Sequence, residues 1–185
     1  MQENTIKVSA IPTHEGPRAP RAPRAPRAFD TILYGGLAVG VLDALDAIIF
    51  FGIRNGVTPK RIFQHIASGL LGRASFDGGY ATALLGLFLH FLIALIIAAV
   101  YYRASLILPM LVRHAVIWGL IYGVAAFFVM NWIVVPLSAA PQGRFAIAPF
   151  LNGVIGHALL VGLPVALFAQ RSAIPDQPAI PNLRS

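Results

Sequence analysis

The segment Thr31 to Ile53, TILYGGLAVGVLDALDAIIFFGI, is an apolar run with two carboxylates, Asp43 and Asp46, set near its middle. About 20 apolar residues, each rising about 1.5 Å, match a hydrocarbon core of about 30 Å. A helix of that length in a soluble protein normally keeps a polar face, and this one has almost none. The run therefore predicts a transmembrane helix. An Asp near the bilayer centre costs about 2.5–3.5 kcal/mol on insertion scales, so neither carboxylate is expected to face lipid. The two are three residues apart and share one helical face. Gly36, Gly40, Asp43 and Ala47 recur at i, i+4, i+7 and i+11. Such a stripe of small residues lets transmembrane helices approach closely, which points Asp43 into a bundle with Asp46 beside it.

Three further runs have the same character, giving spans at about 31–53, 81–101, 114–135 and 150–169. The second carries Ala83, Gly86, His90 and Ala94 on one stripe and ends at Tyr101 and Tyr102, read as interfacial aromatics. A connector with Pro109 follows, from Arg103 to Arg113. The third span has Gly119 and Gly123 in GxxxG spacing, with Asn131 near its end. The fourth holds Asn152, His157 and Pro164, after a loop broken by Pro136, Pro141 and Pro149. Gly36, Gly40, Gly86, Gly119 and Gly123 are the expected helix-packing positions.

Between the first two spans, Thr58 is placed to cap a helix with Pro59 at its first position. Ile62, Phe63, Ile66, Ala67, Leu70 and Leu71 then recur at helical spacing, with Lys60, Arg61, Gln64, His65 and Ser68 opposite. This predicts a short amphipathic helix over about 59–71. It lies either on the membrane surface or over the mouth of the bundle.

Residues 1–30 form a polar arm with four Pro-Arg-Ala units between Pro17 and Ala28. Proline at every third position blocks a helix and favours an extended chain. Arg18, Arg21, Arg24 and Arg27 suit anionic lipid headgroups, worth about 1 kcal/mol each near such a surface. Residues 171–185 read as a Pro-rich disordered tail. The arm lacks an early apolar core, so the first span is read as a retained anchor rather than a cleaved signal.

Composition narrows the functional classes. Mean hydropathy is +0.74 and only 11% of residues are charged, against about a quarter in soluble domains. The absence of cysteine removes disulfides, thiolate metal sites and c-type haem. The net charge of +7 lies in tails and loops, with no basic stripe interleaved with aromatics of the kind nucleic acid requires. With the N-terminus inside, Lys7, Arg18, Arg21, Arg24, Arg27, Arg103, Arg113, Arg171 and Arg184 are cytoplasmic; Arg54, Lys60, Arg61, Arg73 and Arg144 lie across the membrane. The positive-inside rule then places both termini in the cytoplasm.

From Ile66 onward, the runs IASGLLG, GGYATALLGLFLHFLIA, YYRAS, LPMLVRH, MNWIVVPLSA and LNGVIGHALLVGLPVAL resemble a set of small bacterial inner-membrane proteins with four spans and no assigned activity. The resemblance covers roughly Thr31 to Arg171. It implies an all-α integral membrane fold and inner-membrane location, and no catalytic residue.

Asp43, Asp46, His90 and His157 are the ionisable groups within spans. Counting from the outer ends, Asp43 and His90 lie about 15 and 13 Å deep, and Asp46 and His157 about 10 and 9 Å deep. Depth alone pairs Asp43 with His90 and Asp46 with His157, with Asn131 and Asn152 extending a polar path outward. The leading expectation is a structural cluster that holds the bundle together. An intramembrane ionisable group is also a functional candidate, so a proton-linked small-solute transporter or pore subunit, acting as a homo-oligomer, is the alternative. A weaker alternative is a b-type haem held by His90 and His157. There is no nucleophile beside a His in a recognisable motif and no HExxH, so no enzyme, metal or resident cofactor is expected.

Overall fold

The computed structural model describes residues 25–173. Every regular element among them is helical. Four helices are long and apolar enough to cross a membrane, by length and composition: α1 (Asp30–Asn55), α3 (Gly79–Ile107), α4 (Ala115–Leu137) and α5 (Ile147–Ala173). The shorter α2 (Pro59–Leu71) lies between the first two. Arg18, Arg21, Arg24 and the tail beyond residue 173 fall outside the described residues, as does most of the arm.

The helices outrun the apolar runs that predict them. α3 continues through Arg103 to Ile107, where a connector was expected. α4 runs past Pro136 to Leu137 rather than stopping before it. α1 ends at Gly56, whose positive φ of 64° closes the last turn with its N–H on the Gly52 carbonyl, a geometry glycine adopts without strain.

The four long helices run up and down in sequence. The start of α1 meets the end of α5: Thr31 Oγ1 lies 3.2 Å from Ser172 Oγ, and the Arg27 N–H donates to that same oxygen at 3.1 Å. The turn between α3 and α4 sits at this end too, because the Tyr101 hydroxyl donates to the Leu111 carbonyl at 2.9 Å and Gln170 Nε2 to the Val112 carbonyl at 3.0 Å. Tyr101 is therefore fully buried (0% exposed). It is a packing residue rather than the interfacial aromatic its sequence position suggested. This half of the bundle holds the apolar core, with Val39, Ala94, Ala98, Val161, Val165 and Ala169 meeting there.

Helix neighbours follow from the small residues. Gly36 and Gly40 bring α1 against Leu95 and Phe91 of α3. Gly119 and Gly123 bring α4 against Gly162 of α5, backbone to backbone, with no room for a Cβ. Gly86 accepts the Phe63 carbonyl of α2 onto α3 in the same way. These are close approaches of the kind small residues permit.

The placement of α2 corrects one expectation. Gln64 and Ser68, assigned to the solvent face, are buried, and Gln64 is only 2% exposed. Gln64 Nε2 donates to the Gly79 carbonyl at 3.0 Å and lies near the Thr82 hydroxyl and the Phe76 carbonyl. A buried amide is tolerated because it satisfies carbonyls at the turn into α3. Lys60 and Arg61 stay exposed, and His65 keeps one side exposed with the other against Phe76. α2 thus packs on α3 over the end of the bundle opposite Thr31 and Ser172, and the Ala139 N–H on the Gly69 carbonyl at 2.9 Å ties the loop after α4 to it.

Candidate functional site

Above the apolar core the four long helices part around a cavity of about 220 Å³. Each supplies one polar side chain to its wall: Asp43 from α1, His90 from α3, Asn131 from α4 and His157 from α5, with Ile66 of α2 at one side. Four of the six residues of the expected polar cluster therefore converge. Asp46 and Asn152 make a separate contact.

The pairings differ from those that depth suggested. His157 Nδ1 lies 3.8 Å from Asp43 Oδ1, so Asp43 faces His157 rather than His90. That distance allows an ion pair when the ring is protonated but is too long for a hydrogen bond. Asp46 Oδ2 accepts from Asn152 Nδ2 at 2.7 Å, not from His157. The carboxylate reaches in because Gly156 offers no side chain; a Cβ there would stand 3.0 Å from Asp46 Oδ2. His90 instead contacts the backbone of α1, with Nε2 2.8 Å from the Gly40 carbonyl. The physical reason is rotational. Asp43 and Asp46 lie on the face of α1 turned to α5, whereas Gly36 and Gly40 face α3.

Proton positions follow from the partners. A carbonyl only accepts, so in a neutral His90 ring Nε2 carries the proton and Nδ1 remains an acceptor. Asn131 Nδ2 donates to the Phe127 carbonyl at 3.0 Å, which leaves its Oδ1 free to accept. His90 Nε2 is engaged by the Gly40 carbonyl, so ligation of a haem by His90 would either break that contact or use Nδ1. Among the described residues, no three His, Asp or Glu side chains group as a metal site.

Two wall residues stand on irregular helix. Asn131 lies in a π-helical turn, Met130–Val134, and His157 opens another, His157–Gly162. Each is followed by a proline two residues on, Pro136 and Pro164. Proline has no N–H for the carbonyl four residues back and its ring crowds that carbonyl, so the helix widens just before it. Single π turns of this kind are frequent at functional sites. The prolines were the available sequence signal, but Pro136 read as a loop breaker.

Sequence reasoning missed Gln64 and Tyr122, whose hydroxyl donates to the Ile97 carbonyl at 2.6 Å and links α4 to α3 below the cavity. Polar residues bonded to backbone carbonyls carry no pattern of their own. Arg27 forms an ion pair with Asp30 at 2.7 Å. Outside the long helices, His65 lies over Phe76, which also carries the Arg61 guanidinium 3.9 Å from its ring centre. Partial burial and then the Arg61 charge hold His65 below the usual histidine pKa.

No protein-family model, curated protein or solved structure matched the chain.

Proposed function

We propose that this chain is an integral protein of the bacterial inner membrane, with both termini cytoplasmic, whose Asp43–His157–His90 cavity binds a small solute in a proton-linked cycle. It would act as a transporter or pore subunit within a homo-oligomer, with the basic arm on anionic headgroups. The carrying observation is the contrast between the two carboxylates. Asp46 closes on Asn152 at 2.7 Å, whereas Asp43 stands 3.8 Å from His157 in the wall of a cavity. A group kept only for packing gains by closing its hydrogen bonds, since unmet ones cost about 1–3 kcal/mol. An ionisable group left open in a span supports a site for protons or solute. Irregular backbone at this depth is tolerated where it is buried in protein or lines a water-filled cavity, and both π turns contribute to the wall. A carboxylate–imidazole pair can exchange a proton because each responds to the charge of the other. The structural reading is retained for Asp46, which the short Asn152 bond favours.

Proteoliposomes loaded with a pH-sensitive dye test this. Under an imposed pH gradient, with potassium and valinomycin to clamp the potential, wild-type protein should dissipate the gradient faster than empty liposomes. Asp43→Asn should return the rate to the empty-liposome level. Equal rates for wild type and Asp43→Asn would refute the proposal.

A further inference from the structure

Beside the polar cavity, α3 and α4 enclose a second space, an apolar groove of about 340 Å³. Ile93, Ile97 and Met130 line both spaces. The groove and the cavity are therefore the two sides of a single layer of side chains. The remaining groove wall is apolar apart from Tyr122, whose hydroxyl is spent on the Ile97 carbonyl. Ile96, Val100 and Val129, also on that wall, are exposed on the outer surface of the bundle, so the groove opens where lipid chains would lie.

The polar side has a definite hydrogen-bonding character. Asp43 offers carboxylate oxygens. Neutral His90 offers Nδ1, because Nε2 is engaged by Gly40. Asn131 offers Oδ1, because its amide N–H is engaged by Phe127. Neutral His157, 3.8 Å from Asp43, adds one acceptor nitrogen and one N–H, so acceptors still outnumber donors and one of them is anionic, which suits a ligand group rich in N–H donors and positive. We propose that the site takes a single-chain amphiphile with a cationic amine head, the chain in the α3–α4 groove and the head at Asp43, entering from the side past Met130. This rests on the cavity being a ligand site and adds its substrate class and its route of entry. Met130 suits a gate, since an unbranched thioether side chain adapts its shape at little cost, and it begins the π turn that also carries Asn131.

The test uses the full chain in lipid nanodiscs with a photoactivatable long-chain primary amine, its diazirine at mid-chain, and a matched long-chain carboxylate as comparison. Adducts are mapped by peptide mass spectrometry. The amine should label peptides carrying Ile96–Val100 and Ala125–Val129 saturably, at least tenfold above the carboxylate, and Asp43→Asn should reduce that labelling about tenfold. Ala125→Trp, on the exposed rim of the groove, should block it with the melting temperature unchanged. Equal labelling by the two probes, labelling of Leu84 and Phe88 on the outer face as strong as that in the groove, or indifference to Asp43→Asn would overturn the proposal. If Asp43→Asn abolishes gradient dissipation yet leaves amine labelling intact, the amphiphile inference fails alone. If neither responds, the proton-linked reading fails with it.

Discussion

Replacing Gly123 by Ala probes the crossing of α4 and α5 that places His157. A Cβ at this position would overlap the His157 carbonyl and sit 2.7 Å from the Ala158 Cα. Both are backbone atoms and cannot rotate away. Carbon atoms in contact prefer about 3.5–4.0 Å, so the two helices must part by about 1 Å there. Overpacking of this kind costs about 1–3 kcal/mol, and backbone against backbone belongs at the upper end. Alanine regains up to about 1 kcal/mol of helix propensity over glycine, leaving a net loss of about 2 kcal/mol. Because the displaced carbonyl is that of His157 itself, the 3.8 Å gap to Asp43 should change as well. Unfolding free energy measured in detergent micelles reads the first effect, and gradient dissipation in liposomes the second. Two glycines serve as controls. Gly143 has nothing within 4 Å of a new Cβ and its change to Ala should stay within about 0.5 kcal/mol. Gly153 comes nearest to side-chain atoms of the buried Phe127 ring rather than to backbone, so its change to Ala should cost less than Gly123→Ala. Gly123→Ala as stable as wild type would refute a backbone-to-backbone crossing.

Three other outcomes are expected. A double-mutant cycle on Asp46→Ala and Asn152→Ala should give a coupling of about 1 kcal/mol, within the range of up to about 1.7 found between membrane helices; zero coupling would show that the pair is not bonded. Tyr122→Phe leaves the Ile97 carbonyl without its 2.6 Å donor and should lower unfolding free energy by about 1 kcal/mol, with no change expected if water replaces the hydroxyl. For His65 the sign runs with burial: its folded pKa is lowered, so below the ordinary value of about 6.5 the unfolded chain binds the proton more readily. Its contribution is complete above that value and declines as the pH falls through it toward the lowered folded value. A His65→Gln variant should show a flatter stability profile across that window than wild type.

The four long helices were legible because an apolar run of bilayer length admits few other folds; their ends were not, since α3 continues through Arg103 to Ile107 and α5 reaches Ala173. The small-residue stripes were legible for the same reason that they pack: Gly36, Gly40, Gly86, Gly119 and Gly123 all lie where a Cβ would clash with another helix. The pairing of the polar groups was not legible. Depth along an axis follows from counting residues, but rotation about the axis depends on which neighbour each face meets. Asp43 and His90 lie at similar depths, yet α1 turns Asp43 to α5 and Gly40 to α3. Gln64 and Ser68 defeated the amphipathic rule, which takes polar side chains to seek water. Here carbonyls at the turn before α3 served Gln64 instead. The two π turns in the cavity wall left only Pro136 and Pro164 as their mark, and a third, Asp30–Gly35, has no proline after it.

The two carboxylates on one face of α1 are assigned different work, and stability reads that difference directly. Asp43→Ala and Asp46→Ala would be made singly and their unfolding free energies measured under one condition in the same detergent. Asp46→Ala removes a 2.7 Å partner and strands the Asn152 amide, so it should lose about 1–2 kcal/mol. Asp43→Ala removes a partly exposed carboxylate that closes no short hydrogen bond, so it strands no hydrogen-bond partner and relieves the cost of holding a carboxylate in a span. It should be as stable as wild type or more so. Equal losses at both positions, or a larger loss at Asp43, would mean that both carboxylates hold the bundle and that the cavity is a packing defect rather than a site.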